Sequence, residues 1–130
     1  MSKAVETPTA IGELIDKITI LEIKVERFID PAKTKNARTE LALLTERRDR
    51  EVPSANALHT LAAELKAVNE RIWELEDAVR DCERRSDFGP DFVRIARQIY
   101  KTNDQRAAVK RRIILDFESA IVEEKSYNTP

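Results

Sequence analysis

Three bases, two acids and two amides fall where helical periodicity would place hydrophobes, or along the edge of such a stripe: Arg80, Arg106, Lys110, Glu22, Glu76, Asn69 and Asn103. In residues 92–117 the core-facing stripe reads Phe92, Ile95, Ala96, Ile99, Asn103, Arg106, Ala107, Lys110, Ile113, Ile114 and Phe117, with an amide and two cations among the apolar positions. On the preceding long segment, Asn69, Trp73, Glu76 and Arg80 follow at spacings that share one helix edge. Glu22 lies between Ile18 and Val25 on the first. A charge inside a protein is costly unless it is paired or bound. Two chemistries meet that demand. The cluster can hold a small anionic ligand, phosphorylated or carboxylated, with Arg80, Arg106 and Lys110 as anion contacts, Asn69 and Asn103 orienting it, and Glu22 and Glu76 balancing charge. Alternatively, the acids and bases neutralise one another in a closed network that fixes helix register, as a buried Asn does in coiled coils. The second reading predicts Arg106 and Lys110 paired to Glu22 and Glu76.

The elements that must position these residues are long helices. Thr9 is a candidate N-cap for a first helix over 10–29, whose main stripe is Ile11, Leu14, Ile15, Ile18, Leu21, Val25 and Ile29, with Ile20 and Ile23 on another side. A helix apolar on two sides sits at the centre of a bundle or at a subunit interface. Asp30-Pro31 restarts the chain into a second helix over 31–50 with a thin stripe of Ala37, Leu41 and Leu44. Val52-Pro53-Ser54 breaks it. A third helix over 54–85 carries Leu58, Leu61, Ala62, Leu65, Val68, Ile72, Leu75 and Val79. Ser86-Asp87-Phe88-Gly89-Pro90 is the clearest turn, and the last segment runs from 90 to 117, with a candidate break at Thr102-Asn103-Asp104. The fold expected is all-α, an antiparallel bundle of four to five helices in a single domain over 1–130, with a loose arm at 1–8 and a tail at 119–130. Helices this long leave sides that need partners, so a homodimer through the first or third helix is expected.

Composition narrows the function classes. The chain has 130 residues, 36% of them charged, a formal net charge of −1 and only two glycines. Near-neutrality gives no bulk electrostatic argument for nucleic acid or a membrane surface. The start, MSKAVETPTA, has no apolar core of a signal sequence, and no apolar run approaches a membrane span, so a cytoplasmic location is expected. One cysteine (Cys82) and one histidine (His59) exclude an intrachain disulfide, a multi-cysteine zinc site and a histidine-rich metal centre. No cofactor is implied: there is no glycine-rich phosphate loop and no Ser-His-Asp or Cys-His arrangement. Cys82 reads as a small buried hydrophobe, Trp73 as a core or interface anchor, and His59 as a surface residue.

Two all-helical enzyme classes set the catalytic alternative. Nucleotide pyrophosphohydrolases hold magnesium between Glu-rich helices, because hard cations need several oxygen ligands. Glu70, Glu74 and Asp77, or Glu76 and Glu83, come near that pattern, but Arg71, Arg80, Arg84 and Arg85 interleave and a solvated charged face is the better reading. Mutase-like helical enzymes clamp two carboxylates with Arg and Lys, and Arg80, Arg106, Lys110 and Glu76 are residues of those types.

The chain also resembles a bacterial family of small proteins built on a domain of unknown function. The resemblance lies in residues 12–24 (GELIDKITILEIK), 68–77 (VNERIWELED), 103–107 (NDQRA), Lys110-Arg111 and 123–127 (EEKSY). It implies no activity. It does imply an association of some members with tetratricopeptide or glycosyltransferase-like proteins, and through them with surface-polysaccharide metabolism. The expectation is therefore a cytoplasmic helical binding or accessory module.

Overall fold

Chain punctuation decides the element boundaries in the computed structural model, which describes residues 5–117. Four helices are present: α1 Ile11–Arg27, α2 Pro31–Glu51, α3 Asn56–Arg84 and α4 Pro90–Phe117. No strand occurs among the described residues, so the chain is all-α there. The 119–130 tail, with its Glu123-Glu124 pair, and the first four residues of the arm lie outside the described residues.

Asp30 caps α2 through a 2.9 Å bond from the Ala32 N–H to Oδ1, and Pro31 supplies the fixed φ of the first helical position. Thr9 does not cap α1. Its hydroxyl donates to the Thr7 carbonyl at 3.2 Å, and Ala10 occupies the cap position without a side-chain bond. At the end of α3 the Asp87 N–H bonds the Cys82 carbonyl at 2.9 Å and the Ser86 N–H bonds the Glu83 carbonyl at 3.0 Å. This closes a Schellman motif with Ser86 at φ 53°, the left-handed position usually given to glycine. Asp87 then accepts the Gly89 N–H at 3.1 Å and leads into Pro90.

α1 is the hub: it packs against α2, α3 and α4, α3 also packs against α4, and α2 touches α1 alone. Two buried stripes on α1 explain this. Ile11, Ile15 and Ile18 form one; Gly12, Asp16, Thr19 and Ile23 form the other. Ile11 and Ile15 of the first join Leu58, Leu61, Leu65, Val109 and Ile113 in the main apolar cluster. A second cluster of Leu75, Cys82 and Ile95 lies where α3 and α4 continue as a two-helix hairpin. In α2 only Ala37 is buried, so the thin stripe yields a peripheral helix tied to the rest by pairs such as Lys17–Glu40 at 2.9 Å.

α4 runs unbroken through residues 102–104. Its buried residues are Ile95, Thr102, Val109 and Ile113, and Asn103 is exposed. The inward position expected for Asn103 is thus corrected. The helix buries a seven-residue repeat through 95, 102 and 109, which puts Thr102 inside and turns its neighbour to solvent.

Candidate functional site

Between the two apolar clusters sits a polar one, and its centre is Asp16. The side chain is 5% exposed. The Gly12, Asp16, Thr19 stripe is small or short, so α3 and α4 approach closely enough for their long polar side chains to reach it. Arg106 donates from Nε to Asp16 Oδ1 at 3.0 Å and from an Nη nitrogen to Oδ2, a two-pronged grip. Asn69 donates through Nδ2 to Asp16 Oδ1 and to Thr19 Oγ1, both at 2.9 Å. The Thr19 hydroxyl donates in turn to the Asp16 carbonyl at 2.8 Å. Lys110 reaches Glu13 at 2.9 Å and Asp16 at 3.8 Å. Asp16, Asn69 and Thr19 are all buried.

Burial pushes the Asp16 carboxyl up, but bonds from Arg106 and Asn69 and the charges of Arg106 and Lys110 outweigh it and hold the group below the usual carboxylate range. The bond to Asp16 raises Arg106 against its own desolvation. Two acids and two bases, Asp16, Glu13, Arg106 and Lys110, neutralise one another. A family model, DUF6165, a family of unknown function, matches residues 4–130. The chain belongs to that family. No curated protein and no solved structure matches it.

This DUF6165 chain places the expected site residues in three groups. Arg106, Lys110 and Asn69 meet in the cluster, but on Asp16 and Glu13 rather than on Glu22 and Glu76. Asn69, Glu76, Arg80 and Arg106 line a cavity of about 340 Å³ with Trp73 and Asp77, floored by Ile20, Ile23 and Ile72. There Arg80 is an exposed edge residue, 72% accessible, whose Nε stands 3.6 Å from Glu76. Glu22 borders a different cavity of about 530 Å³, between α1, the end of α2 and the start of α3. Asn103 joins none of them. The expected clamp of Arg80, Arg106 and Lys110 with Glu76 does not assemble, because Lys110 is held on the Glu13 side and does not border the 340 Å³ cavity.

Asp16, Thr19 and Glu13 were not foreseen. A signal for the first two exists: small and short polar residues at 12, 16 and 19 repeat with the spacing of a second buried helix face. His59 is exposed, as expected, although its Nε2 lies 3.2 Å from the Ser54 hydroxyl beside the larger cavity. Cys82 is buried, and Trp73 is partly buried, its ring 6.0 Å from that of Phe28. Glu70 and Glu74 flank Arg27 at 4.0 and 3.6 Å. Among the described residues no group of three or more His, Cys, Asp or Glu converges as a metal ion requires, and no helix is long and apolar enough to cross a membrane.

Proposed function

We propose that this chain is a cytoplasmic helical binding module in which the Asp16 cluster is a closed structural lock and the adjoining cavity takes the ligand. One observation carries the reading: Arg106 belongs to both. Its Nε and one Nη nitrogen are spent on Asp16, while the same side chain borders the cavity beside Asn69, Trp73 and Arg80. The size, about 340 Å³, lies at the small end of the range for ligand pockets. Arg80 and the outer edge of Arg106 suit one anionic group. Glu76 and Asp77 suit hydroxyls, and Trp73 offers an aromatic edge. A sugar phosphate or sugar nucleotide combines these features, in keeping with the surface-polysaccharide association that the family resemblance implies. Lys110 has no part in the ligand contact.

A thermal-shift screen of sugar nucleotides, nucleotides and small dicarboxylates, followed by Trp73 fluorescence titration, checks the reading, since a ligand of the folded state raises its stability by mass action. The expected result is a hit among sugar phosphates or sugar nucleotides that Arg80→Ala weakens by roughly tenfold or more with little change in the stability of the unliganded protein. A flat screen favours the second reading, a structural or interaction protein with no ligand, which the charge balance of the Asp16 cluster supports.

A further inference from the structure

The face of α4 opposite its buried residues carries an unusual composition. Val93, Arg97, Tyr100, Asp104, Ala107, Arg111 and Leu115 recur at intervals of three and four and are all exposed. At 100° per residue they fall within a strip about 80° wide, on the far side from Ile95, Thr102, Val109 and Ile113. Three of them are among the large hydrophobics left in solvent: Val93 49%, Tyr100 54% and Leu115 48%. Their charged neighbours are just as unpartnered. Among the described residues Arg97, Asp104 and Arg111 make no ion pair, although most other charges on the surrounding helices do. Val93 and Arg97, with Gly89, Pro90, Arg94 and Lys101, also line a surface depression of about 500 Å³.

The strip is self-complementary when reversed. A two-fold axis beside Tyr100 runs two copies of α4 in opposite directions and sets Arg97 of each copy level with Asp104 of the other. The same axis puts Val93 level with Ala108 and brings the two Tyr100 residues to within one residue of each other along the helices. A two-fold interface must satisfy this kind of reciprocity. The basic depression around Arg94, Arg97 and Lys101 then receives the Asp104 segment of the second copy. We infer that α4 is a homodimer interface, two copies packing antiparallel through Val93, Arg97, Tyr100 and Asp104. The enclosed α1, covered by three helices, offers no comparable face.

Sedimentation equilibrium of the full chain from low micromolar to near-millimolar concentration tests this. A monomer–dimer equilibrium is expected. Arg97→Glu and Asp104→Arg each place like charges opposite one another and should weaken association by roughly tenfold or more, while the Arg97→Glu/Asp104→Arg double reversal restores it. Tyr100→Cys should form a disulfide-linked dimer on mild oxidation, the native Cys82 being buried. Circular dichroism shows that each variant keeps its helices. A monomer at every concentration overturns the inference. So does a dimer that ignores the single reversals, or one that the double reversal fails to rescue. None of these residues borders the Arg106 cavity, so the outcome is independent of the ligand screen.

Discussion

Asp16 accepts bonds from Arg106 and Asn69 in an almost dry site, and its stability contribution follows from that. In Asp16→Asn the side chain keeps its shape but leaves Arg106 and Lys110, 29% and 19% exposed, without a buried counter-charge. Breaking such a pair costs about 3 kcal/mol, the low end of the range because both cations keep some water. The sign with pH is fixed by the direction of the shift. The folded carboxyl is lowered below its unfolded value of about 3.9, so the contribution is full above that pH and is lost as pH falls through the folded value. Urea unfolding at neutral pH and near pH 3 should therefore show a smaller acid loss in Asp16→Asn than in the parent. Equal losses would remove Asp16 from the account. The exposed Glu6, also lowered by Arg47, is common to both proteins and cancels. Arg106, Lys110 and Asn69 could be read as inward from helical phase alone. Asp16 is harder to read: Gly12, Thr19 and Ile23 are the sole marks of its face as a second buried stripe, and an acid next to the main stripe through Ile15 and Ile18 reads as surface. Only the closeness of two further helices makes its face interior.

Gly12 shows how closely the elements of the bundle fit. A Cβ there would stand 2.8 Å from the Lys110 carbonyl oxygen and 2.9 Å from the Ile114 side chain. Two effects oppose each other in Gly12→Ala. Helix propensity favours alanine by about 1 kcal/mol, and overpacking against backbone costs about 1–3 kcal/mol. The contact is with a main-chain oxygen that cannot rotate aside, so the clash should win and the melting temperature should fall. A calorimetric scan showing a rise would mean that α1 and α4 are free to move apart. The element pattern itself was largely legible. Asp30-Pro31 and the 86–90 turn announce their helix boundaries through local chemistry that tertiary structure does not override. The phase of α4 was less legible near Thr102, since a β-branched polar residue and its amide neighbour compete for one inward position and hydropathy does not separate them. The suspected break at 102–104 reflects the same ambiguity: good capping residues are harmless within a helix when their neighbours are packed.

At the scale of the whole molecule the chain is a hub helix, a long hairpin and a peripheral helix. The α3–α4 hairpin is built from contacts across a short turn. The Asp16–Arg106 bond instead joins positions 90 residues apart. Ordering that much intervening chain is an entropic cost met before the bond returns anything. The hairpin should therefore assemble early and the docking of α1 onto it late, after the folding barrier has been crossed. Stopped-flow measurements should show Asp16→Asn refolding at nearly the parental rate while unfolding roughly a hundredfold faster, the full value of about 3 kcal/mol appearing on one limb of the chevron. Slower refolding with unchanged unfolding would reverse that order. A bond that forms this late acts as a clasp on the lifetime of the native state: it has little influence on whether the chain finds its fold and sets how long the chain stays there.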